Sequence, residues 1–467
     1  MAYDYDVLTI GLGPAGMAVA AMASAMGLKV CAIEKHKIGG ECMNCGCIPS
    51  KALLRMAHTR HMFSRLDAME LTSSPLPETK QPFRRIQDYL SFINDKKTMK
   101  MFTKVDLRLG KGSAVFTDPH TVSLGQERIT AKRVFICSGS QPMVPPIPGL
   151  ADLDYLTNTN IFTLEKIPES LVIIGGGAIG CEMAQAFSRL GSRVTIVHMD
   201  AHLIPVGNRA PGLLLEEVFL KEGIRVYNGR TITRAEKQGA DIVLHTNQNE
   251  EIRGRRLLVA AGRKANTEGL GLDKAGIAYS KKGITVNKHL QTNRRGVYAV
   301  GDVNGHFLLS HAAMHQGMIA LMNSMLPYGF KRNFKKYVVP WTVFTDPAVS
   351  HVGMTERQLE RSGLTFEVTE SRYEDYGAAI AEDVAIGYVQ AFASPMGRIY
   401  GAGIVGEGAA DMINEWGLAI QKRMRLADIM MLQHSFPSMS FLNKRVGETW
   451  MMGKLAPWLQ RLIRWWF

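Results

Sequence analysis

Two glycine-rich turns constrain the architecture of this 467-residue chain more tightly than any other feature. The first lies in YDVLTIGLGPAGMAVAAMASAMGLKVCAIEK. There an apolar β-rich run from Val7 to Ile10 meets Gly11-x-Gly13-x-x-Gly16, an Ala/Met-rich helix and a second strand ending at Glu34. The first glycine permits a tight turn, the second lets backbone approach a pyrophosphate, and the third lets helix pack on strand. The helix presents its partially positive N-terminus to the phosphates. Glu34 stands where a carboxylate accepts from ribose hydroxyls. The second stretch, LVIIGGGAIGCEMAQAFSRLGSRVTIVHMD, repeats the device with Gly175, Gly177 and Gly180. The same 23-residue step separates Gly11 from Glu34 and Gly175 from His198. Two such units predict a bound flavin dinucleotide and a nicotinamide dinucleotide that reduces it.

The copies diverge at the residue that meets the ribose. A carboxylate there favours NADH and repels the 2′-phosphate of NADPH. His198 does neither strongly, and a protonated imidazole tolerates the phosphate. No arginine pair follows it, so NADH and NADPH both stand.

Length implies roughly three domains. The formal charge of +13 raises nucleic acid, a membrane surface or anionic cofactors. The basic residues are scattered, with no zinc-finger spacing and no RNP-like strand, so nucleic-acid binding is disfavoured. Met1 to Asp6 runs into the first strand without a basic n-region or cleavage site, which predicts a cytoplasmic setting. Three of six cysteines fall in GGECMNCGCIPSK, residues 39–51. No second Cys/His cluster completes four ligands, so no metal site is expected.

That stretch, with Gly39, Gly40, Cys42, Asn44, Gly46, Cys47, Pro49, Ser50 and Lys51, resembles the redox motif of the FAD-dependent pyridine nucleotide-disulfide oxidoreductases. Dihydrolipoamide dehydrogenase, glutathione reductase and mercuric reductase belong to that family. The resemblance runs from Tyr5 to about Trp450. It includes VFICSGSQPMVPPIPG (134–149), AAGRKANTEGLGL (260–272) and QTNRRGVYAVGD (291–302). It implies an α/β fold with two Rossmann-like domains and an α+β dimerisation domain. The implied boundaries are 1–152 and 283–336 for FAD, 153–282 for NAD(P), and 337–450 for a homodimer interface. A tail follows at 451–467.

The resemblance also implies roles. Cys47 would lie against the flavin as the charge-transfer thiolate, and Cys42 would be the outer thiol that exchanges with substrate. Both flank a helix start, which lowers a thiol pKa. Lys51 and Glu182 would pair beside the flavin. FAD would be held by Gly11, Gly13, Pro14, Ala15, Gly16, Glu34, Lys35, Gly40, Ser138, Gly139, Gly301 and Asp302, the last accepting from the ribityl chain. The nicotinamide nucleotide would meet Gly175, Gly177, Ile179, Gly180, His198, Gly262 and Arg263. Cys45 is the surplus thiol, expected as a small packing residue, with a Cys42–Cys45 disulfide as the alternative.

The C-terminal pattern departs from the family. Disulfide reductases take a base from the partner subunit, a His-Pro run followed by Glu. Aligning MLQHSFPSMSFLNKR on Pro437 places Phe436 and Phe441 at those positions. The expectation is a missing His–Glu pair, with His434 as the candidate substitute base or an interface residue. Loss of a general base costs about 10²- to 10⁴-fold, so lipoamide and glutathione disulfide are disfavoured acceptors. A metal ion, quinone, ionised thiol or polysulfide fits better. No cysteine follows Cys181, which argues against mercuric and large thioredoxin reductases. In the tail, Leu455, Trp458, Leu459, Leu462 and Trp466 would share one helical face, with Arg461 and Arg464 opposite. This suits an anionic membrane surface. The alternative activities are a flavin-only oxidase or transhydrogenase and a catalytically retired binding homologue.

Overall fold

The computed structural model describes residues 3–94, 98–455 and 457–467, and the side chains of all of these except 457–459. Two compact units form. One comprises Met1–Gly175, Leu190–Ser192 and Ile232–Lys336; the other comprises Gly176–Arg189, Arg193–Thr231 and Tyr337–Phe467.

In the first unit, strand β1 (Tyr5–Ile10) is the central parallel strand, and Val7 to Ile10 are all buried. A strand covered on both faces reads as a continuous apolar run rather than an alternating one. It pairs in parallel with β2 (Val30–Glu34) and with β6 (Glu127–Ile136). Beyond β2 lies β3 (Asp106–Leu109), and beyond the C-terminal half of β6 lies Val297–Ala299, both parallel. The other half of β6 joins β4 (Val115–Asp118) and β5 (Thr121–Leu124) in an antiparallel meander. Leu8, Ile10, Phe116, Val134, Ile136 and Val297 share its core.

Helix α1 (Pro14–Ala25) begins with proline, whose missing N–H costs nothing in the first turn. Its fit on β1 depends on Gly16, because a Cβ there would lie 1.9 Å from the Gly11 carbonyl oxygen. Helix Ser310–Met325 packs on α1 equally closely, since a Cβ on Gly317 would meet the Ala15 oxygen at 2.7 Å.

In the second unit, helix Ala178–Arg189 precedes strand Arg193–Val197, which pairs in parallel with Arg225–Tyr227. The C-terminal part is a five-stranded antiparallel sheet in the order 341–343, 348–353, 399–406, 388–393, 367–372. Helices Ala409–Gln421, Leu426–Met431 and Phe441–Gly453 share its core around the fully buried Trp416. The Trp416 indole donates to Asn443 Oδ1 at 2.8 Å. The expected α/β class with an α+β C-terminal part is what the chain adopts.

The tail forms a helix over Pro457–Trp466, with Leu462, Trp465 and Trp466 exposed. The side chains of Trp458 and Leu459, expected on the apolar face, lie outside the described residues. Among the described residues, no helix is long and apolar enough to cross a membrane.

Gly16→Ala is expected to destabilise the protein by about 1–3 kcal/mol through overpacking, read as a lowered thermal midpoint. An unchanged midpoint would mean that the turn and α1 can separate without cost.

Candidate functional site

The redox stretch folds as two helices meeting at a glycine. Helix α2 covers Gly40–Cys45, and α3 begins at Cys47 and runs to Phe63. The turn between them is closed, since a Cβ on Gly46 would stand 3.0 Å from the Glu41 oxygen. Cys42 on α2 therefore faces Cys47 at the start of α3, within hydrogen-bond reach. Cys47 Sγ also lies 3.3 Å from Ser310 Oγ, at the N-terminus of its own helix.

Charge divides unevenly between the thiols. The Cys42 S–H donates to Cys47 and lowers the Cys47 pKa to about 6; burial opposes this and Ser310 reinforces it. The same bond, with burial behind it, pushes the Cys42 pKa far upward. The α3 N-terminus favours the anion at Cys47. The pair thus holds a thiolate on Cys47 and a proton on Cys42.

Cys45 differs from both. Burial, then the Glu41 carboxylate, raises its pKa to about 11, which fits a packing thiol. Lys51 is exposed on α3. Glu182 is buried on helix Ala178–Arg189, where Oε1 accepts from the Phe344 amide at 3.0 Å.

The first glycine turn leaves no room for a Cβ at Gly11, Gly16 or the adjoining Gly40. Gly11 has φ +99° and a Cβ there would lie 2.4 Å from the Cys137 oxygen, while a Cβ on Gly40 would come 2.8 Å from Gly13 Cα. Glu34, buried at the end of β2, accepts from the Leu12 amide at 2.7 Å and the His36 amide at 2.8 Å. These bonds orient its carboxylate at the mouth of the turn, next to the exposed Lys35. Pro14 and Ala15 open α1 beneath it. The cradle and the oriented acid fit an adenine dinucleotide such as FAD.

Across the sheet, Asp302 Oδ2 accepts from Ser140 Oγ at 2.6 Å, and Ser140 Oγ accepts from Arg263 Nε at 2.7 Å. Arg263 also pairs with Glu41 on α2. Burial raises the Asp302 pKa, and the Ser140 bond and Arg263 charge oppose the rise. The Gly301 amide donates to Gln316 Oε1 at 2.9 Å. Ser138 Oγ donates to the Asn266 carbonyl at 2.8 Å, and Gly139 has φ +71°. Gly262, at φ +122°, accepts from the Met143 amide at 2.9 Å. Arg263 was expected at the nicotinamide nucleotide; its contacts described here are with Glu41, Ser140 and Asp302. Sequence reasoning missed Ser140, Ser310, Glu41 and Gln316. Ser310 is 263 residues from Cys47, and no local pattern marks such a partner.

In the second copy, Gly175 has φ +121° and a Cβ there would lie 2.3 Å from the Ala260 oxygen. Gly177 accepts from the Cys181 amide at 2.9 Å, Ile179 is half-buried and Gly180 is buried. His198 is buried at the end of its strand.

The 432–440 loop contributes His434 to a histidine–carboxylate pair, made with a residue on helix Ala409–Gln421. His434 Nε2 is 3.0 Å from Glu415 Oε1, and Asn443 Nδ2 donates to Glu415 Oε2 at 2.7 Å. His434 Nδ1 lies 3.3 Å from the Leu432 carbonyl. Phe436 is exposed, and its ring meets Phe441 edge-on at 5.5 Å, while Phe441 stacks on Tyr376 at 6.1 Å.

Residues 5–317 match the family described as pyridine nucleotide-disulphide oxidoreductase, and residues 339–445 match its dimerisation domain. A dihydrolipoyl dehydrogenase of Thermus scotoductus is 33% identical over 450 residues, covering 93% of this chain and 95% of the relative. A mercuric reductase of Staphylococcus aureus is 31% identical over 433 residues, covering 91% of this chain and 79% of the relative. Among solved structures, the Cu(II) complex of the HOCl-induced flavoprotein disulfide reductase RclA from Escherichia coli superposes with a TM-score of 0.86. The two are 25% identical, over 97% of this chain and all of that one.

Alkylation of Cys47 by iodoacetamide, followed peptide by peptide, is expected to rise through a midpoint near pH 6. Ser310→Ala should move it up by about one unit, the scale of one hydrogen bond to an anion. An unmoved midpoint would remove Ser310 from the support of the thiolate.

Proposed function

Because the chain belongs to the pyridine nucleotide-disulphide oxidoreductases, a family that binds FAD and uses NAD(P)H, we propose that it passes electrons through Cys42 and Cys47 to an acceptor that needs no protein base. The observation that carries this reading is the approach of Cys42 to Cys47 within hydrogen-bond reach, with Ser310 on the far side of Cys47, together with phenylalanine at 436 and 441. Oxidation of the pair forms one S–S bond and releases two electrons and two protons. Cys47 has already lost its proton, so one proton, on Cys42, remains to be moved. When bound, FAD supplies two-electron exchange between the nicotinamide and Cys47. In this reading the Gly11–Gly16 turn and Glu34 bind it, and Asp302, held by Ser140, orients it. Lys51 serves beside its reacting edge.

A disulfide acceptor requires Cys42 to ionise before it attacks, beside a thiolate that opposes a second charge. A metal ion lifts that requirement, because binding to sulfur displaces the proton directly. The Cu(II) complex of RclA supports a metal acceptor; a quinone or polysulfide is the remaining class. His434 is the nearest histidine in sequence to the aligned base position. Both its ring nitrogens face acceptors, which favours holding the loop over relaying protons.

The dimerisation domain suggests a homodimer. The proposed boundaries are 1–152 with 283–336 for FAD, 153–282 for NAD(P), 337–450 for dimerisation and 451–467 for the tail. Turnover with Cu(II), a quinone or a polysulfide is expected to exceed that with lipoamide by about 10²-fold or more, and to vanish in Cys42→Ser. Faster turnover with lipoamide would remove the base-free reading. Turnover that survives Cys42→Ser would assign the chemistry to the flavin without the thiols.

The tail is proposed to lie on anionic bilayers, supported by exposed Trp465 and Trp466 beside Arg461 and Arg464. Removal of residues 455–467 is expected to abolish co-sedimentation with phosphatidylglycerol vesicles. Equal sedimentation with and without the tail would exclude it.

A further inference from the structure

We propose that His198 selects the nicotinamide nucleotide, and that Asn228 and Glu216 set it to prefer NADH over NADPH. This rests on the second glycine turn being the nicotinamide-nucleotide site.

The His198 side chain is 3% exposed. Its ring forms part of the wall of the turn, because a Cβ on Gly176 would come within 2.8 Å of His198 Cε1. Nε2 lies 2.6 Å from Asn228 Oδ1. The other end of that amide fixes its orientation: Asn228 Nδ2 donates to Glu216 Oε2 at 2.9 Å, and a carboxylate can only accept. Glu216 is itself held by the Leu203 amide at 2.8 Å. The oxygen of Asn228 therefore faces the ring, and His198 Nε2 carries a proton.

In the neutral ring, that places a lone pair on Nδ1. This atom is buried and has no hydrogen-bond partner, which is costly unless a ligand supplies a donor. A ribose hydroxyl is such a donor. Nδ1 then does for this turn what the carboxylate of Glu34 does for the first one. A 2′-phosphate brings only acceptor oxygens and negative charge, and it would meet both the lone pair and the Asp200 carboxylate, 3.8 Å from Nδ1. The basic side chain tied into this corner is Arg230. Its amide donates to the His198 carbonyl at 2.9 Å and its Nη1 to the Asn228 carbonyl at 3.0 Å. Those bonds commit that nitrogen to backbone and brace the same Asn228.

The FAD-loaded protein would be titrated calorimetrically with NAD⁺ and NADP⁺, and kcat and KM measured for NADH and NADPH with one fixed acceptor. NAD⁺ is expected to bind about tenfold or more tightly than NADP⁺. Asn228→Leu should erase most of that ratio by raising the KM for NADH while leaving kcat unchanged, and His198→Glu should keep it. In the wild type, ¹⁵N NMR of His198 should report a protonated Nε2 and an unprotonated Nδ1, a readout that needs no variant to fold. Equal or tighter binding of NADP⁺, the opposite tautomer, or an undiminished ratio in Asn228→Leu would overturn the proposal. If neither nucleotide binds, the reading of the turn as a nucleotide site fails, and this inference fails with it.

Discussion

Between Gly11 and Gly16 there is no space for a methyl group, and the same is true between Gly13 and Gly40. These absent side chains let a strand, a turn, a helix and the start of the redox stretch converge at van der Waals distance. The carboxylate of Glu34 and the redox helices are placed by that convergence. Glu34 is aimed from the end of β2 by the Leu12 amide of that turn and by the His36 amide just after the strand. The redox helices follow directly from Gly40, so the cysteines inherit their position from the dinucleotide cradle.

The asymmetry of the thiol pair follows from geometry rather than from any difference between the residues. Cys47 opens a helix of 17 residues and receives two hydrogen bonds, whereas Cys42 ends as the donor of one of them. A proton shared across two sulfurs settles on one of them, and the hydrogen bonds that Cys47 receives from Cys42 and Ser310 leave it on Cys42. The chemistry that remains is removal of a single proton.

Much of this was legible in the residues, for physical reasons. Glycine spacing reports backbone approach, and continuous apolar runs such as Val7 to Ile10 report buried parallel strands. The Cys42–Cys47 spacing carries the redox pair. Ser310, Ser140 and Gln316 were not legible, because each works through a contact made by the fold across more than a dozen residues and carries no local pattern. Glu415 was missed for a related reason. Motif alignment looks for the partner of a histidine at fixed spacing, whereas a carboxylate on helix Ala409–Gln421 reaches His434 through space. His198 could be read only as a departure from carboxylate; its tautomer depends on Asn228, 30 residues further on.

The contact between Gly317 and Ala15 has a wider consequence. It clamps helix Ser310–Met325 onto α1, and the first residue of that helix supports the Cys47 sulfur. The packing on α1 and the support of the Cys47 sulfur thereby share one helix. A change that loosens the helix pair would move Ser310 from the sulfur and raise the thiol pKa.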